Sequence, residues 1–185
     1  MRPQKVDDQE VMTGLMTVIR AKGYDGATMN DLAEATGLKK ASLYHRFPGG
    51  KKEITEAVLD HTRSWSLQHI SGVLKDKSKA PEDRLKAVID NIRLLYDDGQ
   101  AICILRALTM DSSLPLFGVH LEGSFKTWLE AFAHLGNDFG FDREKSKRLA
   151  TAVLIKVQGS LVLAKGLNDP TPFQQSLSDI EKLYQ

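Results

Sequence analysis

Hydrophobic positions recur with a helical period along almost the whole chain. In the first segment, Met12, Leu15, Met16 and Ile19 fall on one side of a helix. Comparable patterns predict further helices over residues 28–35, 39–45, 51–74, 81–97, 100–110, 114–136, 142–167 and 172–184. No stretch sustains the period-two alternation that indicates a strand. The pattern therefore predicts an all-α protein of about nine helices.

Capping and turn residues separate these segments. Thr28 and Asp31 have the Ser/Thr-x-x-Asp/Glu spacing of a helix cap, which opens the second helix. Pro48 disfavours helix at the residue before it, and the two glycines that follow permit a tight turn. These breaks predict a small N-terminal helical domain, residues 1–50, and a larger helical domain, residues 51–185.

Composition is that of an ordinary globular chain. The chain has 185 residues, 42% of them hydrophobic, which is enough to bury a core. The start, "MRPQKVDDQE", has no apolar stretch like that of a signal peptide, and no uninterrupted apolar run approaches the ~20 residues of a membrane span. Cys103 is the single cysteine, so an intrachain disulfide is excluded. We expect a cytoplasmic protein.

Positive charge is concentrated in one short stretch. The formal net charge is only +1, yet "GLKKASLYHRFPGGKK", residues 37–52, holds five Lys or Arg residues, one His and no acidic residue. Basic stretches are often simply solvated surface, so the local structure has to decide what this charge does.

Residues 28–47 have the spacing of a helix-turn-helix. Two short helices are joined at Gly37, where a tight turn needs a permissive backbone. Four apolar residues can face the core with the first helix: Leu32, Leu38, Leu43 and Phe47. This leaves the polar and basic side chains of the second short helix outward. A major groove accommodates one helix in this way.

The outward residues predict how DNA would be contacted. Helix N-termini at Thr28 and Lys51 suit phosphates, Lys52 adds charge, and Tyr44 adds a hydroxyl. Lys39, Lys40 and Ser42 are the candidates for base edges. The predicted DNA-binding residues are Thr28, Lys39, Lys40, Ser42, Tyr44, His45, Lys51 and Lys52.

The stretch "GYDGATMNDLAEATGLKKASLYHRF" resembles the N-terminal domain of the TetR family of bacterial transcriptional regulators. The resemblance extends over residues 7–60 and rests on its G-(aromatic)-x-x-x-T, L-A-x-x-x-G and L-Y-x-x-F elements. "FPGGK" is similar to the LmrA/YxaF-like subgroup of drug-responsive repressors. Lys39, where the family usually has Ser, and Arg46 depart from the family pattern, which affects the expected base preference.

The resemblance implies a mechanism. Such a protein is a homodimer with an N-terminal helix-turn-helix DNA-binding domain and a C-terminal helical domain for ligand binding and dimerisation. It is expected to be a repressor that binds an inverted-repeat operator in double-stranded DNA and leaves it when a small hydrophobic ligand fills the C-terminal domain.

Aromatic and polarisable side chains are the candidates for that ligand. Each is also compatible with an ordinary core position, but together they fit a mainly apolar pocket. The predicted ligand-binding residues are Trp65, His69, Cys103, Phe117, His120, Phe125 and Trp128. The histidines lack metal-ligand spacing, so neither a metal nor a cofactor is expected.

The segment "TAVLIKVQGSLVLAKGL" is apolar on more than one side and contains small residues that allow close helix approach. It predicts a two-fold dimer formed by residues 142–167 and 172–184. The alternative is that the segment is a central core helix of a monomer.

Two other functional classes remain open. A helix-turn-helix regulator could answer to a protein partner and have no small-molecule effector. An all-α enzyme is the second alternative, but the chain has no nucleophile elbow, phosphate-binding glycine loop or His-Glu-x-x-His motif, so we expect no enzyme. Cys103 lies among apolar neighbours, which favours an inert thiol over a redox sensor.

Overall fold

The computed structural model describes residues 7–109 and 112–185, and every regular element in these ranges is helical. The helices are α1 (Asp8–Gly26), α2 (Met29–Thr36), α3 (Lys40–Arg46), α4 (Gly50–Ser66, continued by a π-helical segment Leu67–Gly72 and a last α-turn Val73–Lys75), α5 (Pro81–Leu95), α6 (Ile104–Ala107), α7 (Leu114–Asp138), α8 (Arg143–Leu167) and α9 (Thr171–Leu183). The predicted all-α fold class is confirmed.

Helix α1 is capped at its start and loses its helical geometry near its end. The Asp7 carboxylate accepts a hydrogen bond from the backbone N–H of Gln9 and so caps the first turn. Leu15 and Ile19 are fully buried, as the helical pattern requires. At Gly23 the backbone leaves the helical conformation, with φ 66° and ψ −176°, and a single turn follows.

Helices α1 and α2 approach each other most tightly at Gly14. A Cβ atom at this position would collide with the backbone carbonyl of Ala35 in α2. Glycine in the middle of a helix costs stability, so its presence here is explained by the close helix packing that it permits.

The long helix that the sequence predicts over residues 51–74 is interrupted by a change of helical geometry. From Leu67 to Gly72 the backbone is π-helical. The side-chain amide of Asn91 in α5 donates to the His69 carbonyl oxygen at 2.7 Å, which satisfies an acceptor within this segment. Such π-helical turns depart from the regular ladder of hydrogen bonds and mark special positions in a helix.

The predicted helix over residues 100–110 is mostly wrong. A 3-10 turn covers Asp97–Gly99, and α6 is only four residues long. The Tyr96 carbonyl accepts the N–H groups of Gly99 and Ala101, both at 2.9 Å, which closes the chain into a turn before a helix can continue. Asp98 adopts the left-handed conformation, with φ 50°. Residue 110 lies outside the described residues.

Packing divides the chain into two compact units. The first comprises the chain up to Thr62 together with Ile104–Leu121, and the second comprises Arg63–Cys103 together with Glu122–Gln185. This is a division by packing, and the functional boundary between residues 50 and 51 remains a prediction.

A buried ion pair lies in the second unit. The Arg84 side chain, 3% exposed, donates to the Leu74 carbonyl oxygen at 2.7 Å and to the Asp138 carboxylate at 2.8 Å. Burial alone would raise the pKa of Asp138, but the Arg84 hydrogen bond and the charges of His134 and Arg84 outweigh it, so the pKa lies below its usual value. The pair links the end of α4 to α5 and α7.

By length and composition alone, α8 is long and apolar enough to cross a membrane, with a mean hydropathy of 1.3 over its most apolar 18-residue window. Lys156 and Gln158 interrupt this stretch, in line with the expectation of no uninterrupted apolar run. Its buried residues include Val157 and Leu161, and the helix packs against α9. Polar contacts join the same two helices, since Ser176 donates to the Lys156 carbonyl and the Lys156 ammonium pairs with Asp179 at 3.5 Å. These contacts are those of a helix packed in a globular unit.

Candidate nucleic-acid interface

The N-terminus of α2 is a complete capping box. The Thr28 hydroxyl accepts the N–H of Asp31 at 3.2 Å, and the Asp31 carboxylate accepts both the N–H and the hydroxyl of Thr28, at 2.9 and 2.8 Å. Lys22 of α1 donates to the same carboxylate at 2.6 Å. The Lys22 hydrogen bond, followed by those from Thr28, lowers the pKa of Asp31 to about 2. Thr28 is exposed, but its hydroxyl proton is already donated within the cap.

A left-handed residue ends α2 and sets the direction of α3. Gly37 has φ 65° and ψ 11°, and the following N–H, that of Leu38, donates to the Ala33 carbonyl at 3.1 Å. This arrangement is typical of a helix C-terminus that ends in glycine. Leu32 and Leu43 are fully buried on the two helices, so they anchor α2 and α3 as predicted.

Helix α3 has one buried side and one exposed polar side. Leu43 is its fully buried residue, while Tyr44 is 45% exposed. Five of the predicted DNA-binding residues are exposed here: Lys39, Lys40, Ser42, Tyr44 and His45. Lys39 occupies the N-cap position but makes no capping hydrogen bond, since its side chain has no acceptor. These five exposed residues are called the basic face of α3 below.

Arg46 is exposed but engaged within the protein. Its guanidinium pairs with the Asp8 carboxylate at the start of α1 and lies 6.0 Å from the Phe47 ring centroid. In the sequence, Arg46 is notable only as a departure from the family pattern. The observed contacts give it the role of joining α3 to α1.

The start of α4 lies two residues after Pro48. Glu53 accepts the backbone N–H of Gly49 at 2.6 Å, which stabilises the first turn. Lys52 is exposed and lies 3.6 Å from the Glu56 carboxylate, one turn further along. Lys51 is half-buried, and its ammonium lies 4.4 Å from the centroid of the Tyr24 ring. Lys51 and Lys52, which are both predicted to contact phosphates, therefore have different partners within the protein.

Two of the predicted ligand-binding residues belong to the first unit. Phe117 is fully buried and meets the Tyr24 ring edge-on, with 5.0 Å between ring centroids. His120 Nε2 lies 3.9 Å from the Asp60 carboxylate. Phe117 thus occupies a core position of this unit.

The other five belong to the second unit and fall into separate contacts. Trp65 and His69 stack, with 4.7 Å between ring centroids. Trp128 is almost fully buried and lies 6.3 Å from the Phe132 ring centroid, while Phe125 is half-buried. The buried Cys103 thiol accepts a hydrogen bond from the Tyr96 hydroxyl at 3.4 Å.

A cavity of about 530 Å³ lies between α7 and α8 in the second unit. It is lined by Leu129, Glu130, Ala133, His134, Asn137, Arg143, Lys147, Ala150 and Thr151. None of the seven predicted ligand-binding residues is among them. No group of three or more metal-ligating side chains occurs among the described residues.

Several residues that position the basic face of α3 escaped the sequence analysis. Gly14 could have been singled out, because it is a glycine inside an otherwise helical pattern. The nine-residue separation of Lys22 and Asp31 gives no signal by itself. Tyr24 was noted only as an aromatic of the family pattern. Only the folded chain brings Arg46 to Asp8, 38 positions apart.

Comparisons with known proteins converge on one family. The family model described as bacterial regulatory proteins, tetR family, matches residues 12–58. Two Bacillus subtilis regulators are similar over most of their length: YxaF is 25% identical over 89% of this chain and 87% of its own, and LmrA is 22% identical over 95% of both chains. A solved structure of the TetR family regulator CifR, a cysteine mutant complexed with 26-base-pair double-strand operator DNA, has a TM-score of 0.76 at 20% identity and covers 99% of this chain and 98% of its own.

Proposed function

The chain belongs to the TetR family of bacterial regulatory proteins and is a DNA-binding transcriptional regulator, and we propose that it acts as a homodimeric repressor. In this proposal it binds an inverted-repeat operator and is released by a small hydrophobic ligand. The family is one of transcriptional regulators and not of enzymes. We also propose that it acts in the cytoplasm.

The observation that carries the proposal is the basic face of α3 and its surroundings. Lys39, Lys40 and His45 are exposed together on a helix that the buried Leu43 fixes to the rest of the first unit. A helix of this kind fits the major groove, while charges at the start of α4 lie close to the phosphate backbone. The similar regulator CifR is complexed with double-strand operator DNA, which supports DNA as the partner.

Within this interface the residues have separate roles. Lys39, Lys40 and Ser42 are proposed to read base edges, and Tyr44 and His45 to lie at the groove edge. Lys51 and Lys52 are proposed to contact phosphates. Thr28 acts as the α2 cap, and any phosphate contact at this helix end comes from free N–H groups of the first turn.

The proposed dimer rests on the exposed apolar side of α8. Ile155 is 66% exposed and Val162, seven residues later on the same side, is 47% exposed. Exposed apolar groups in such a row gain free energy when a second copy covers them. Binding of such a dimer to an inverted repeat requires two copies of α3 about 34 Å apart, one turn of DNA.

The effector is proposed to be small and mainly apolar. The support is that the second unit contains several aromatic and sulfur-containing side chains in separate contacts, including Trp65, His69, Cys103 and Trp128. To release DNA, such a ligand must bind better to a conformation that DNA disfavours, since equal affinity for both states shifts nothing.

The direct test begins by selecting double-stranded DNA sites with the purified protein from a randomised 30-base-pair library. We expect the selected sites to share an inverted repeat, and footprinting of one such duplex to show two protected half-sites about one helical turn apart. Single half-sites or the absence of any enriched sequence would contradict the proposal.

A second measurement addresses the effector. A library of apolar aromatic compounds is screened for release of the selected duplex, and each active compound is tested again on Trp65→Ala and Trp128→Ala. We expect both variants to bind the duplex normally and to need more compound for release. If no compound releases the duplex but a cellular protein does, the regulator is controlled by a protein partner.

A further inference from the structure

Lys51 is held over an aromatic ring that belongs to another helix. Its ammonium lies 4.4 Å from the centroid of Tyr24, well within the ~6 Å range of a cation–π interaction. Among the described residues, no carboxylate lies within ion-pair distance of this ammonium. The neighbouring Lys52 differs, since it pairs with Glu56 on its own helix at 3.6 Å.

Tyr24 is itself fixed on its other side. The backbone of α1 leaves the helical conformation at Gly23, and the turn that follows carries Tyr24. The ring then meets the fully buried Phe117 edge-on, with 72° between the ring planes. Because Phe117 is part of the core of the first unit, the ring gives Lys51 a rigid support.

We propose that Tyr24 is a positioning residue for operator binding, because its ring holds the Lys51 ammonium in place at the start of α4. This inference rests on the proposed function, in which Lys51 contacts a phosphate. A lysine side chain otherwise samples many rotamers, and ordering them upon binding costs entropy. The ring restricts these rotamers before DNA arrives.

An aromatic partner also leaves the positive charge of Lys51 uncompensated. A carboxylate partner, such as Glu56 for Lys52, would compete with a phosphate and would have to be displaced. An aromatic face attracts the ammonium through its quadrupole but carries no net charge. Lys51 is therefore ordered and keeps its positive charge for a phosphate.

The experiment measures binding of a fluorescein-labelled duplex, selected by the wild-type protein, by anisotropy at several NaCl concentrations. The variants are Tyr24→Leu, Tyr24→Phe, Lys51→Met and the combination of Tyr24→Leu with Lys51→Met. Tyr24→Phe is the conservative control, because it keeps the ring face and removes only the hydroxyl. Thermal unfolding of each variant is recorded alongside.

We expect Tyr24→Leu to weaken binding roughly five- to thirtyfold, the range for one modest cation–π interaction in each half of a dimer. The slope of log affinity against log salt should stay unchanged, because the charge is still present. Tyr24→Phe should bind within about twofold of wild type. Lys51→Met should flatten the slope by about 1 per subunit, and adding Tyr24→Leu to it should cause no further loss.

Two results would overturn the proposal and leave the DNA-binding function intact. In the first, Tyr24→Leu weakens binding equally with and without Lys51, which would mean that the ring only stabilises the first unit. In the second, Lys51→Met changes neither affinity nor salt slope while Lys40→Ala weakens binding. If no duplex is selected at all, the proposed function and this inference both fail.

Discussion

The exposed side of α3 and the exposed side of α8 have opposite chemistry. The basic face of α3 presents Lys39 and Lys40, whereas α8 presents Ile155 and Val162. A hydrated cationic surface is stable in water and attracts a polyanion. An exposed apolar row gains free energy only when another apolar surface covers it. One helix is therefore suited to DNA and the other to a second copy of the chain.

A second contrast concerns the ion pairs of the two units. In the first unit, the Lys22–Asp31 pair and the Arg46–Asp8 pair are at the surface, where they orient helices but are screened by water and salt. In the second unit, Arg84 is buried with Asp138. We infer that surface contacts adjust the DNA-binding geometry, whereas the buried pair affects stability.

The largest expected effect comes from making the α8 surface as cationic as α3. Ile155→Lys combined with Val162→Lys should convert the dimer to a monomer, because charges would be buried at the interface. Operator affinity should fall by roughly 10²- to 10⁴-fold, since the second DNA-binding half loses its high effective concentration. Sedimentation velocity and duplex anisotropy measure the two effects.

Leu94→Lys is the matched control for this change, because Leu94 is an exposed apolar residue of α5, 76% exposed, outside the proposed dimer surface. It should alter neither assembly nor affinity. A double variant of α8 that remains dimeric would show that the apolar side of this helix has another purpose.

The next largest effect is expected for the buried ion pair of Arg84 and Asp138. Arg84→Met should lower the free energy of unfolding by about 3–5 kcal/mol, because the Asp138 charge and the Leu74 carbonyl lose their donor. Urea unfolding measures this. Arg93→Met, on the same helix but in the exposed pair with Asp90, should cost at most about 1 kcal/mol. If Arg84→Met and Arg93→Met lower the free energy of unfolding equally, the buried pair is no more important for stability than the surface pair.

The same pair predicts a pH dependence. Because the folded state holds the pKa of Asp138 below its usual value, its stabilising contribution is full above the unfolded pKa near 4 and is lost as pH falls through the lower folded pKa. Asp138→Asn should therefore be less stable than wild type by about 1–3 kcal/mol near pH 7. The difference should shrink below about pH 4. A difference that does not depend on pH would argue against an ionised Asp138.

A smaller effect distinguishes base contacts from phosphate contacts in the first unit. Lys40→Ala should reduce discrimination between half-site variants by roughly 1–3 kcal/mol per lost base contact. Lys52→Ala should weaken all sequences similarly and flatten the salt slope by about 1 per subunit. Anisotropy with selected and scrambled duplexes separates the two. If Lys40→Ala weakens all duplexes equally, Lys40 contacts the backbone instead.

The smallest effect concerns the α2 cap. Thr28→Ala should cost about 1 kcal/mol of stability, while Thr28→Ser should keep the capping hydrogen bonds and nearly all of the stability. Thermal unfolding measures both. If Thr28→Ala weakens duplex binding at a temperature where the protein is fully folded but Thr28→Ser does not, the hydroxyl also serves the phosphate backbone.

The sequence determined the features that depend on neighbouring residues. The Thr28 cap and its Asp31 partner are three positions apart, and the turn at Gly37 needs only a residue that tolerates positive φ, so both follow from local physics. The helical periodicity predicted the all-α fold, and the density of Lys and Arg around Tyr44 predicted the exposed basic face of α3, which is the proposed DNA-binding surface. Each of these signals lies within one or two helical turns of the chain.

Only the tertiary structure decided which charges are free and which are engaged. Arg46 finds Asp8 at a separation of 38 residues, and Arg84 finds Asp138 at a separation of 54. Such partners cannot be read from the chain, because a charged side chain is compatible with solvent or with any opposite charge that folding brings near it. The same reason explains why Lys51 and Lys52 are equivalent in sequence, yet one lies over an aromatic ring and the other beside a carboxylate.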